Sequence, residues 1–125
     1  MTKHSRRLPF IAAVHVALLL IFAGCSGEEF GGLGIEVPSG DGKVTADNPY
    51  VIVSVYKGGT GELSGLEAGD KIVSVDGRPL KGLKYDYIVK NLLRGKAGSV
   101  VTLEIERKGE TMIFRVLRGK IVLKE

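Results

Sequence analysis

Two stretches near the end of the chain alternate apolar and polar residues with a period of two. Val101, Leu103 and Ile105 alternate with Thr102, Glu104 and Glu106, and Met112, Phe114 and Val116 repeat the spacing after Lys108-Gly109. This is the pattern of two half-buried strands joined by a hairpin turn, over Val100 to Arg107 and Thr111 to Arg118. Shorter apolar runs punctuated by glycine predict strands at Leu33 to Val37, Lys43 to Ala46, Val51 to Tyr56 and Lys71 to Val75, with Asp41-Gly42 as the turn between the first two. One segment changes period: Tyr85, Ile88, Val89, Leu92 and Leu93 fall at i, i+3, i+4, i+7 and i+8 between Gly82 and Gly95. That apolar stripe predicts a helix, with Arg94 in its last turn and Gly95 as the C-terminal cap. Tyr85 belongs to the stripe and is expected buried, Tyr87 exposed. A second, shorter helix is expected around Gly61 to Leu66, weakened by its glycines. The fold class is therefore mainly β with two helices (α+β), a small, partly open barrel or sandwich capped by helices.

The first 24 residues differ in kind. A basic head, Lys3 to Arg7, precedes an apolar run from Leu8 to Ala23 broken only by Pro9 and His15, the order of a secretion signal. At about 16 residues the run is short of the roughly 20 that a spanning helix needs. Phe22-Ala23-Gly24-Cys25 resembles a bacterial lipoprotein processing box, with Phe22 where an aliphatic residue is usual. The resemblance implies a signal peptide over 1–24, lipidation of Cys25, a short tether over 25–29 and anchorage to a membrane of the cell envelope. Ser26 after the modified cysteine implies the periplasmic face of the outer membrane in a Gram-negative cell. The alternative is a plain N-terminal anchor helix. Five steps from Cys25 to Phe30 reach at most about 18 Å, which would hold the domain close to the bilayer.

This division changes the meaning of the composition. The whole chain carries 18 Lys and Arg against 14 Asp and Glu, a net +4. Three of those cations (Lys3, Arg6, Arg7) and both histidines (His4, His15) fall in the signal, leaving 101 residues of net +1. A nearly neutral domain is a poor candidate for nucleic acid. Cys25 is the single cysteine, so no internal disulfide forms. Without histidine or free thiol, Ser-His-Asp and Cys-His nucleophiles and the usual zinc sites are not expected, and neither a metal nor a cofactor is anticipated.

Three motifs in order then resemble a PDZ domain over 30–119, with 120–125 as a tail or strand. Phe30-Gly31-Gly32-Leu33-Gly34-Ile35 is similar to the glycine and hydrophobe loop with which these domains grip a peptide carboxylate. Leu66-Glu67-Ala68-Gly69-Asp70-Lys71-Ile72-Val73-Ser74-Val75-Asp76-Gly77 is similar to the family's Gly-Asp turn, strand and Asp-Gly turn. Leu92-Leu93-Arg94-Gly95-Lys96-Ala97-Gly98-Ser99-Val100-Val101 resembles in particular the PDZ domain of bacterial carboxyl-terminal processing proteases. Thr60-Gly61-Glu62-Leu63-Ser64 departs from the Pro-Ala-rich helix usual before the Gly-Leu pair. The sequence ends at Glu125, where those proteases continue into a serine-lysine domain, so their proteolysis is not expected to carry over.

The chemistry expected is binding. Gly32 and Gly34 permit backbone conformations closed to other residues, so the amides of Leu33, Gly34 and Ile35 could converge on an anion. A peptide's C-terminal carboxylate suits such a nest, and Ile35-Glu36-Val37 would offer an edge for strand addition. Leu33, Ile35 and Leu93 are expected around the ligand's last side chain, which predicts an apolar terminus. Asp86, or Tyr87 if the register is shifted by one, would select a basic or hydroxyl-bearing residue two positions earlier, with Lys90 one turn away. Alternatively, Asp86 and Lys90 form only an exposed i, i+4 pair.

Other charged and glycine-rich segments have simpler readings. Asp70 and Asp76 sit beside glycine and are read as turn residues. Lys57-Gly58-Gly59-Thr60-Gly61 lacks the ending of a phosphate loop and is read as a turn. Arg115, Arg118, Lys120 and Lys124 are read as a solvated strand face, close enough to a bilayer to touch anionic heads. The function expected is a non-enzymatic, lipid-anchored module binding C-terminal or extended peptides of envelope proteins, acting as an adaptor for a protease. The alternatives are a truncated or split processing protease and a purely structural lipoprotein.

Overall fold

The structure, a computed structural model, describes residues 30–120. The signal over 1–24, the tether over 25–29 with Cys25, and Lys124 lie outside the described residues. Among the described residues, nine strands form three small sheets accompanied by two helices, the mainly β architecture with two helices that the periodicities predict.

The largest sheet follows from the alternating stretches. Strands β7 (Val100–Arg107) and β8 (Glu110–Leu117) pair antiparallel along their whole length, Leu103 opposite Phe114 and Ile105 opposite Met112. Lys108 and Gly109 turn between them with φ of +51° and +80°, two left-handed residues in succession that match the twist of a tight hairpin. Strand β4 (Lys71–Val75) flanks β7, and β5 (Arg78–Pro79) flanks β4. Val101, Leu103 and Ile105 are fully buried against Ile52, Ile72, Leu80 and Ile88, placing the core between this sheet and the longer helix.

The N-terminal strand is divided. β1 (Phe30–Gly32) and β2 (Ile35–Glu36) are separated at Gly34, whose φ is +67°. β1 lies between β6 (Gly95–Lys96) and β9 (Gly119–Lys120), whereas β2 pairs with β3 (Ser54–Val55). The strand expected over Lys43 to Ala46 and its Asp41-Gly42 hairpin are not formed. The Val44 N–H instead bonds the Leu83 carbonyl, Gly82 N–H bonds the Val44 carbonyl, and Tyr85 N–H bonds the Gly42 carbonyl. Thr45 and Asn48 close a local turn through reciprocal backbone bonds and the Thr45 hydroxyl. The segment's backbone is thus taken up by residues 82–85 and by its own turn, and β2 pairs instead with β3.

Helix α1 (Thr60–Leu63) is the short helix expected from sequence, and α2 (Tyr85–Ile88) runs directly into a π turn over Val89–Leu93. In that turn the Arg94 N–H bonds the Val89 carbonyl at 3.0 Å, one residue wider than an α-helical bond. Both ends are capped by distant chain: Tyr85 N–H by the Gly42 carbonyl, and the Leu92 and Leu93 carbonyls by the Arg118 guanidinium at 2.9 and 2.8 Å.

Arg118 therefore corrects two readings. It is buried at 9% exposure, not part of a solvated strand face, because its fork also donates to Ser99 Oγ. Gly95 is not a left-handed cap but the start of β6: a Cβ there would stand 2.9 Å from Arg118 Nε, so glycine makes room for the group that caps the helix instead. Asp70 likewise does more than shape a turn. It is 1% exposed and takes a two-point bond from Arg107, Nε to Oδ1 at 2.7 Å and Nη2 to Oδ2 at 2.8 Å. Burial pushes the Asp70 carboxyl up, but the Arg107 bonds and charge and the Glu67 amide outweigh it and hold it below the usual carboxylate range.

Candidate functional site

A cavity of about 560 Å³ opens between the loop leading into β2 and the C-terminal half of the second helix. Its apolar wall is Leu33, Ile35, Val37, Val89 and Leu93; Arg94 and Lys120 bring positive charge to the rim.

The backbone of the loop sets the chemistry of the cavity mouth. The Leu33 carbonyl accepts from Gly61 N–H at 2.7 Å, and the Gly34 carbonyl accepts from Tyr56 N–H at 2.9 Å. In a planar trans peptide the N–H points opposite its carbonyl, so α1 turns the Gly34 N–H away from itself, and β3 turns the Ile35 N–H away from the sheet. The Glu36 carbonyl accepts from Val53 N–H at 2.8 Å, which by the same geometry sends the Val37 N–H to the free edge of β2. Three donors thus follow one another along one wall, the first two beside the charged rim. The positive φ of Gly34 turns the chain between them, and Gly59 closes behind it, 3.1 Å from where a Gly34 Cβ would stand.

Six of the sequence-predicted site residues, Gly32, Leu33, Gly34, Ile35, Val37 and Leu93, come together around this cavity. Glu36, Asp86 and Lys90 are not among its lining. The Glu36 side chain is exposed and accepts from Ser54 Oγ at 2.9 Å, as strand alternation requires when Ile35 and Val37 face the cavity. Asp86 Oδ1 accepts from Gly40 N–H at 3.2 Å, and Lys90 is exposed. Tyr87 is exposed beside Arg78, whose Nη1 donates to its hydroxyl.

Sequence reasoning missed Val89, Arg94, Tyr56, Lys120 and the turn Gly58-Gly59-Thr60, all of which line the cavity. Val89 was legible as the residue four before Leu93 on one helix face. The others reach the site through tertiary contacts alone.

Comparison with known proteins agrees with this geometry. Residues 51–107 match the family model described as a PDZ domain. The carboxy-terminal processing protease CtpB of Bacillus subtilis is 36% identical over 96 residues, which are 75% of this chain and 18% of that protein. CtpA of the same organism is 38% identical over 80 residues, 64% of this chain and 16% of that protein. A crystal structure of the PDZ domain of a carboxy-terminal protease from Vibrio cholerae in complex with peptide superposes with a TM-score of 0.61 at 27% identity, covering 76% of this chain and 99% of that one. The chain spans between 2% and 19% of the length of the curated relatives it matches. With a glycine loop, a free strand edge and a helix enclosing one apolar cavity, the described residues form a PDZ domain, similar to those of bacterial carboxy-terminal processing proteases.

Proposed function

We propose that this chain is a non-enzymatic, lipid-anchored module whose PDZ groove takes the C-terminal or extended segments of envelope proteins by strand addition, serving as an adaptor for a protease. The observation that carries the reading is the row of outward N–H groups at Gly34, Ile35 and Val37 above an apolar cavity. Two amides near Arg94 and Lys120 suit a terminal carboxylate, the cavity suits an apolar last side chain, and the Val37 amide suits a carbonyl further back in an extended ligand. That the Vibrio cholerae domain was crystallised in complex with peptide supports peptide binding here. Cys25, carrying the lipid, would hold the groove at the periplasmic face of a bacterial membrane, the outer membrane in a Gram-negative cell.

The similarity to processing proteases favours one second reading, in which this PDZ domain delivers termini to a serine-protease domain that completes a truncated or split enzyme. An array of peptides with free and amidated termini tests the first reading. Wild type should capture apolar free termini and Gly34→Trp should not. Equal capture of acids and amides, or equal capture by the variant, would contradict it. For the anchor, palmitate labelling should be lost in Cys25→Ser; label retained in that variant contradicts lipidation at Cys25.

A further inference from the structure

The two walls of the groove do not stay apart. Leu33, Ile35 and Val37 on the strand side and Val89 and Leu93 on the helix side line the one cavity. Beyond Val37 the strand edge loses its donors, because Pro38 has no N–H, and the chain bends across to the helix. Gly40 N–H bonds Asp86 Oδ1 at 3.2 Å, the Gly42 carbonyl accepts Tyr85 N–H at 2.8 Å, and Lys43 bridges to Lys84. Gly42 lies flat on the Tyr85 ring: a Cβ there would stand 2.5 Å from Cε2 and 2.9 Å from Cδ2. Gly40, with φ of +97°, makes the bend that brings its amide to Asp86.

Resting on the peptide-binding reading, we infer that residues 38–42 are a clasp that shuts the groove at the helix N-terminus and confines recognition to the last few residues of a ligand. The length follows from the geometry. Leu93 and Asp86 are seven residues apart, about 10 Å of helix at roughly 1.5 Å per residue. An extended ligand advances about 3.4 Å per residue, so about three residues fit between the rim and the clasp. Asp86 then acts as a specificity-determining residue through the loop it holds: it sets where the ligand must leave the groove.

The test uses the full chain in detergent and fluorescent, alanine-padded peptides of about four and about eight residues that share one apolar free terminus. Wild type should bind both lengths within about twofold, whereas Asp86→Ala and Gly42→Ala should bind the longer about tenfold more tightly than the shorter. A tenfold gain with length in wild type, or a flat response in the variants, would overturn the clasp. Asp86 is exposed, so Asp86→Ala keeps the test alive should Gly42→Ala not fold. If no peptide binds any of the three proteins, the peptide-binding reading fails, and amide exchange by NMR decides the clasp on its own. Gly40 and Tyr85 amides should be protected in wild type and Gly40 deprotected in Asp86→Ala; unprotected amides in wild type would dismiss it.

Discussion

Replacing Gly34 by alanine perturbs the loop at its most constrained point. Kept at φ of +67°, an alanine costs about 1–2 kcal/mol, and its Cβ, 3.1 Å from Gly59 Cα, adds crowding against backbone that has little room to give. Escape by rotation to negative φ swings the Leu33 and Gly34 carbonyls off Gly61 and Tyr56, forfeiting two bonds of 2.7 and 2.9 Å at about 1 kcal/mol each. The two routes cost nearly the same, with rotation favoured by up to about 1 kcal/mol once crowding is counted. The domain should therefore lose about 2 kcal/mol, lowering Tm by about 4–8 °C for each kcal/mol. A competent fraction of roughly 15–50% should weaken peptide binding about two- to sixfold. Gly98→Ala is the control: its φ is +89° with nothing within 4 Å of the added Cβ, and it does not line the cavity. Thermal unfolding by circular dichroism and anisotropy titration with a free-terminus peptide read both quantities. If Gly34→Ala is destabilised as Gly98→Ala is but binds as wild type does, the peptide planes at Gly34 have no part in recognition.

Arg118→Lys should cost about 1.5–3 kcal/mol in denaturant unfolding, because an ammonium cannot fork to the Leu92 and Leu93 carbonyls and Ser99 Oγ together; unchanged stability would show that the helix end needs no such cap. Asp70→Asn should cost about 1.5–3 kcal/mol near pH 7 through loss of the charge-assisted pair, with Arg107 keeping Glu67 and the Gly65 carbonyl as partners. Since the folded carboxyl is held below its ordinary value, its contribution is full above about pH 4 and fades as pH falls below that. The gap between wild type and Asp70→Asn should thus narrow in acid, and a gap that stays constant below pH 4 would contradict the pairing.

The parts of this fold written in the sequence are those set by neighbours along the chain. Alternation in 101–105 and 112–116 was enough to fix the β7–β8 faces, since a shift by one residue would expose Val101, Leu103 and Ile105 together. The helical stripe was legible for the same reason, but its π turn was not, because the extra residue is held by Arg118, twenty-five positions beyond Leu93. Gly95 carried a misleading signal: a glycine after a helix suggests a left-handed cap, yet here it clears space for a guanidinium. Asp41-Gly42 misled similarly, as its segment docks on residues 82–85 instead of folding back on β2. For the site, the glycine loop announced itself through its own backbone needs, whereas Arg94 and Lys120 reach the rim only once β1 is threaded between β6 and β9.

The central claim is that outward amides of the loop hold a peptide carboxylate. The direct measurement is an NMR titration of the chain with one apolar peptide as the free acid and as the C-terminal amide. The acid should shift the Gly34, Ile35 and Val37 amides and the methyls of Leu33 and Leu93, and the amide should bind at least about tenfold more weakly. Equal affinity for acid and amide, or shifts confined to residues away from this cavity, would contradict it.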